Sequence, residues 1–310
     1  MKKFILKIST FIIAIISVNL IIFLFLSSGK RFLKNENQQN SFLDNSPEKI
    51  VYVVGGSSMR NSFNSELASK KLNKEFYNTS FSFAHNAGFV LNYITDKTKK
   101  GDIVIFGPEY VHYYNFNRPI TNSQMATIYN NPKLYKYLSS YQKGEFIFNV
   151  PKMNVLFSYR LLKMSLYPNL FSEANHNSRG DYMDHHKDKK TWIPPSQSKY
   201  KRSNIRPKSS LEFKEAILKV NKKIHKKGAY FFVTFPPYPI SDFDTWISKD
   251  LLNFYKNTNI KVIGKPDSFV LNDSLFSNHP YHTTLEGRTL RTEIFIKEAK
   301  KEIQLIQQNQ

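Results

Sequence analysis

The feature that most constrains this chain is a set of short apolar runs, each bounded by turn-forming residues and set apart by stretches of helical periodicity. They are Ile50–Val54, Ile103–Phe106, Tyr230–Phe235 and Ile260–Ile263. A run that is apolar at every position, rather than at alternate ones, is buried on both faces. Strands of that kind belong to parallel sheets covered by helices. The intervening stretches fit. Leu211–Lys227 places Phe213, Ile217, Val220 and Ile224 on one helical face and stops at Gly228. Further helices are expected from about Phe89 to Lys99, around Trp246–Phe254, and from about Arg288 to Leu305, with a second strand over Phe76–Phe83. The expected fold is α/β, a three-layer sandwich with a central parallel sheet.

The rhythm is interrupted between about residues 115 and 208. Ser123–Tyr141 and Val150–Leu166 read as helical, after which Glu173–Lys208 is polar and basic. This is read as an insertion carrying a cap or lid within an α/β domain spanning about 49–305. His185-His186 has no third ligand at metal spacing, so no metal site is expected. The cluster Lys199, Lys201, Arg202, Arg206 and Lys208 suits contacts with phosphate or carboxylate groups of a polymer. Only Tyr200 lies among these cations, too few aromatics for a nucleic-acid surface. The net charge of +21 over 310 residues is spread along the whole chain, and no nucleic-acid partner is expected. The absence of cysteine excludes disulfides and a thiolate nucleophile.

At the N-terminus, Ile8–Leu26 runs 19 residues without a charge. A helix of that length roughly matches a bilayer's hydrocarbon thickness. The apolar stretch is long for a cleavable signal peptide and is followed by Ser-Ser-Gly-Lys-Arg rather than an Ala-x-Ala-like site. Residues 1–30 are therefore read as an uncleaved membrane anchor and 31–48, rich in Asn, Gln and Ser, as a tether. Lysines and arginines are balanced on both sides of the span. The body is expected outside the cytoplasm chiefly because the anchor precedes it.

The first apolar run leads into Gly55-Gly56-Ser57-Ser58-Met59, with Met59, Phe63 and Leu67 recurring every four residues as on one helix face. Strand, Gly-Gly, Ser, helix presents a hydroxyl at a sharp corner. Glycines permit unusual dihedrals there, and the helix start supplies free N–H groups. Such a serine either attacks an ester carbonyl, with nearby N–H groups stabilising the oxyanion, or simply caps the helix. Late in the chain, Ser277-Asn278-His279-Pro280-Tyr281-His282 precedes Thr283-Thr284-Leu285-Glu286-Gly287 and the last helix.

A serine after the first strand and a histidine before the last helix resemble the SGNH/GDSL hydrolase family, over about Lys49–Lys300. Gly55-Gly56-Ser57 resembles the Gly-Asp-Ser block, with Gly56 where Asp is commoner, and Tyr281–Gly287 resembles the final block. Lys-Gly-Asp-Ile-Val, Pro-Glu-Tyr, Arg-Gly-Asp-Tyr and Phe-Pro-Pro-Tyr resemble a bacterial subgroup associated with surface-polysaccharide loci. The resemblance implies a flavodoxin-like fold, Ser57 as nucleophile, His282 as general base and no cofactor. It also implies an oxyanion donor from the Ser57 N–H and a second from the loop holding Ser80, Asn86 and Gly88. Location in a bacterial cytoplasmic membrane follows.

The chain departs from the family at two blocks. Gly107-Pro108-Glu109-Tyr110 stands where Gly-x-Asn-Asp is usual, and an ionised Glu109 there repels an oxyanion. The Asp three residues before the histidine is replaced by His279, with Asn278 one further back. Asn278 can orient the imidazole but cannot stabilise its protonated form; Asp273 or Glu109 is a carboxylate that can arrive from elsewhere. His112 and Asp181 have no assigned role. Two functions follow as expectations: an anchored serine esterase or O-acyltransferase on acyl esters of a cell-envelope glycan, or a catalytically degenerate relative that binds glycan in a polysaccharide-assembly system.

Overall fold

The computed structural model describes residues 2–28, 49–81, 85–116, 118–166, 176–183 and 209–308. The expected tether, His185-His186 and the cationic cluster from Lys199 to Lys208 lie outside the described residues. The chain forms two compact units, Met1–Gln38 with Pro119–Glu173, and Gln39–Arg118 with Ala174–Gln310.

In the second unit a five-stranded parallel sheet is built from β1 (Val51–Gly55), β2 (Phe76–Asn78), β3 (Ile103–Gly107), β4 (Tyr230–Val233) and β6 (Lys261–Val262) in the order β2-β1-β3-β4-β6. A separate two-stranded sheet pairs β5 (Tyr238–Pro239) with β7 (Val270–Leu271). Every residue of β1 and β3 is buried, as the unbroken apolar runs require. From β1 the chain steps one way to β2, then back across β1 to β3, β4 and β6. Because parallel crossovers are right-handed, this reversal places α2 (Ser57–Ser62) and α3 (Ser65–Leu72) on one face and α4 (Ala87–Lys97), α8 (Leu211–Lys226) and α9 (Thr245–Lys256) on the other. The last helix, α10 (Leu285–Gln308), packs on α2 and α3, whereas α4 packs on α8. The result is the three-layer α/β sandwich that the apolar runs predict.

Local boundaries differ from the sequence reading for identifiable reasons. The helix expected to carry Met59, Phe63 and Leu67 is broken at Phe63, which has extended dihedrals, and restarts after Asn64, whose side chain accepts from the Leu67 N–H. Strand β2 ends at Asn78, and Phe83 lies outside the described residues. Ser123–Tyr141 is divided into α6 (Asn122–Asn130) and a 3-10 turn over Pro132–Tyr137, because a proline cannot continue the α-helix by donating to residue 128. Helix α5 (Tyr110–Tyr114) is a single turn after β3. Helix α7 (Ser140–Leu166) begins ten residues before Val150 and runs through Pro151.

Asp181, in the Arg-Gly-Asp-Tyr segment, is a structural staple. Its carboxylate is fully buried and accepts from the Ser65 N–H and hydroxyl, both at 2.8 Å, from Asn78 at 3.3 Å and from Asn177 at 3.2 Å. It pairs with Arg288 of α10 at 3.1 Å, and Arg288 also donates to the carbonyls of Phe63 and Tyr182. One carboxylate thus ties the segment 176–183 to α3, β2 and α10.

In the first unit, α1 (Lys2–Ser28) is long and apolar enough to cross a membrane. Phe23 of α1 meets Tyr129 of α6 edge-on at 4.6 Å, and Tyr129 stacks on Phe157 of α7 at 4.3 Å.

Candidate active site

In an open parallel sheet, ligands bind beyond the carboxyl ends of the strands where the strand order reverses. Here that point lies between β1 and β3. Gly55 and Gly107, the last residues of those strands, are register partners, so the loops carrying Ser57 and Glu109 leave the sheet side by side. A Cβ on Gly55 would stand 2.4 Å from the Gly107 carbonyl oxygen and 2.6 Å from Met59 Cγ. Neither Gly55 nor Gly56 has positive φ. These glycines serve close approach rather than the unusual dihedrals expected of them.

Ser57 is the first residue of α2, and Gly56 is its N-cap with no side-chain cap bond. The Ser57 hydroxyl donates to Glu109 Oε1 at 3.0 Å, and the Ser58 N–H donates to the same oxygen at 2.9 Å. A Cβ on Gly56 would lie 2.6 Å from that oxygen, so the carboxylate occupies the space a larger residue would take. Glu109 is fully buried, and its Oε2 has no hydrogen-bond partner among the described residues. Burial raises its pKa from the ordinary 4.5 to about 7, against the lowering effect of bonds from Ser58 and Ser57 and the charge of Arg118.

The histidine loop is pinned on both sides of this pair. The Tyr281 hydroxyl accepts from the N–H of Tyr110, the residue after Glu109, at 3.2 Å. The Thr283 hydroxyl donates to the carbonyl of Asn61, whose side chain in turn donates to the Ser57 carbonyl at 2.8 Å. His282 therefore lies between one residue tied to the Glu109 loop and another tied to the helix begun by Ser57. Its Nδ1 is 2.9 Å from Asn278 Oδ1. With that oxygen as acceptor the proton sits on Nδ1, leaving the lone pair on Nε2. The His279 ring lies 5.1 Å from that of His282, and burial lowers its pKa.

The other candidates are engaged elsewhere. Ser80 Oγ donates to the Val53 carbonyl at 3.3 Å, and its N–H donates to Asn78. Asn86 caps α4, accepting from Gly88 N–H at 2.8 Å and donating to the Phe116 carbonyl at 2.7 Å. Asp273 accepts from the Ser241 N–H at 3.1 Å, and among the described residues no hydrogen bond joins it to His282. His112 is buried in α5, and desolvation lowers its pKa to about 3, so its ring is neutral.

Sequence reasoning did not single out the aromatic wall beside Glu109. Tyr238, from Phe-Pro-Pro-Tyr, lies 5.3 Å from both Tyr110 and Tyr281. The fully buried Arg291 was also missed. It donates to the Phe235 carbonyl and to Met59 Sδ, both at 3.2 Å, with the rings of Phe63 and Phe269 each 5.1 Å away. This side chain braces α2 against the end of β4; the Arg-Thr pair early in the last helix carries no signal of that role.

No protein-family model matches the chain, and no curated protein matches it. Among solved structures, protein YXIM of Bacillus subtilis is similar at 13% identity with a TM-score of 0.38, over 83% of this chain and 57% of that one. The chain thus spans little more than half of that protein's length. A likeness this distant adds nothing to the chemistry, which rests on the strand order and the side-chain geometry at the β1–β3 crevice.

Proposed function

We propose that the protein is a membrane-anchored, SGNH-like serine esterase or O-acyltransferase acting on acyl esters, such as acetyl groups, of a cell-envelope glycan. The observation that carries this reading is the buried Ser57–Glu109 pair at the switch point of the sheet, with the His282 loop tied to both sides of it. Ser57 is the nucleophile. His282 takes its proton through Nε2 as Oγ bonds to the acyl carbon, and returns it to the leaving alkoxide. Water or a sugar hydroxyl then attacks the acyl-serine by the same route in reverse.

Glu109 replaces the amide of the family's third block. In its neutral form the carboxylic acid carries its proton on Oε2 and donates to the oxyanion; in its ionised form it repels that charge. A pKa near 7 makes both forms available at neutral pH. The membrane helix α1 supports the anchored location, and the glycan substrate rests on the motif resemblance alone.

The test is labelling of the full chain by a fluorophosphonate probe with turnover of p-nitrophenyl acetate. Both are expected for the wild type, and both are lost in Ser57→Ala. A wild type inert to esters, acylated glycans and the probe overturns the reading. In that event the degenerate, glycan-binding alternative stands. It is favoured by Asn278 in place of an acid behind His282.

A further inference from the structure

The long helix of the first unit leaves an apolar stripe uncovered. Tyr141, Phe148, Val155 and Leu162, seven residues apart, and Tyr159 and Leu166 beside them are all exposed on α7, Phe148 at 88% and Val155 at 70%. Seven residues are nearly two helical turns, so these side chains form one continuous band. The helix is basic, with Lys143, Lys152 and Lys163 against a single Glu145, and Lys152 and Lys163 stand within one turn of Phe148, Val155 and Tyr159 on the exposed side, so the band is apolar with cations at its margin.

The position of α7 on α1 identifies what covers the stripe. Asn154 of α7 donates to the carbonyl and side-chain oxygens of Asn19 at 3.1 and 3.0 Å, and accepts from the Tyr129 hydroxyl. Asn19 is a side-chain amide near the middle of an apolar span, and hydrogen bonding between helices satisfies such groups in lipid. An apolar cleft of about 450 Å³ lies between the helices, its α1 wall formed by Ile15, Ile16, Asn19, Leu20 and Phe23. That wall runs from the middle of the span towards its C-terminal end, roughly 13 Å of helix at 1.5 Å per residue. Packed at this depth, α7 reaches into the hydrocarbon beside α1, with its stripe facing acyl chains and its lysines extending along their own apolar stems towards anionic phosphates.

We propose that α7 is a second membrane-embedded element, packed against α1 from mid-span towards its C-terminal end, with lipid acyl chains covering its stripe and entering the cleft between the two helices. The inference rests on α1 being a membrane span and is independent of the chemistry at Ser57.

Because the chain has no cysteine, single cysteines report position without background. Ile12→Cys in α1, Phe148→Cys and Val155→Cys on the stripe, Ile147→Cys on the cleft wall and Lys222→Cys on α8 are each labelled with an environment-sensitive fluorophore. The full chain is reconstituted into phosphatidylcholine–phosphatidylglycerol vesicles with or without brominated acyl chains. The expected result is loss of fluorescence in brominated vesicles at Phe148, Val155 and Ile147 comparable to that at Ile12, and none at Lys222. Quenching at Ile12 alone overturns the inference and leaves α1 as the only embedded helix. Blue-shifted but unquenched labels at Phe148 and Val155 assign the stripe to a protein partner or a second copy, which also overturns it. Quenching at the stripe but not at Ile147 removes the cleft from the lipid-filled surface. No quenching at Ile12 refutes the span itself, and the inference with it.

Discussion

The Ser57 hydroxyl and Glu109 Oε1 lie 3.0 Å apart across the ends of two adjacent parallel strands, 52 positions apart in the chain. Gly56 makes this contact possible: its missing side chain is the space the carboxylate fills. The Ser58 N–H, which a helix start would otherwise offer to an anion, is already committed to the same oxygen. A neutral acid at this point accepts both donors through Oε1 and retains a proton on Oε2.

Glu109→Gln keeps a neutral donor and removes the titration. In the wild type the neutral fraction falls as pH rises through about 7, so turnover of p-nitrophenyl acetate declines on the alkaline side. In Glu109→Gln that decline is absent. A variant with no turnover at any pH would show instead that Glu109 is the base itself.

The same residue makes stability depend on pH. Its folded pKa of about 7 is raised above the ordinary 4.5, so the folded state binds the proton more tightly. Stability is therefore greatest below pH 4.5 as far as this group is concerned, and is lost as pH rises towards 7. The span is worth on the order of 3 kcal/mol. Chemical denaturation at pH 5 and pH 7.5 should show a decrease for the wild type that Glu109→Gln largely abolishes.

Asn278→Asp places a carboxylate behind His282 Nδ1, at the 2.9 Å position now held by an amide oxygen. On the proposed mechanism, the imidazolium formed when His282 takes the Ser57 proton is then stabilised. We expect kcat for ester turnover to rise by about tenfold or more, measured at the pH optimum of each protein. An unchanged kcat would indicate that His282 does not carry the proton.

Gly56→Ala forces a methyl to within 2.6 Å of Glu109 Oε1 and 2.9 Å of its Cδ. The fully buried carboxylate has to shift away from Ser57. A loss of about 1–3 kcal/mol is expected by chemical denaturation, together with reduced fluorophosphonate labelling.

Asp181→Ala leaves the Arg288 guanidinium buried without its counter-ion and removes the acceptor of Ser65. Breaking a buried pair from one side costs about 3–5 kcal/mol, seen as a lowered thermal midpoint. Asp181→Asn, which preserves the shape and part of the hydrogen bonding, should lose less.

The sequence by itself determined the layered α/β architecture, and it singled out Ser57 and His282 as candidates. Burial on both faces writes itself into consecutive residues of β1 and β3, and the face of α8 is legible in Phe213, Ile217, Val220 and Ile224. These are local signals. Only the tertiary structure decided who meets whom. The neighbour of Ser57 depends on β1 pairing with β3 in the register that sets Gly55 beside Gly107, and the role of Asp181 depends on three elements converging on one carboxylate. The break at Phe63 likewise arises from tertiary context, since helical spacing continues through a residue whose backbone is extended. Pairing across a sheet and packing across a core join residues far apart in sequence, and their partners leave no periodic trace in either segment.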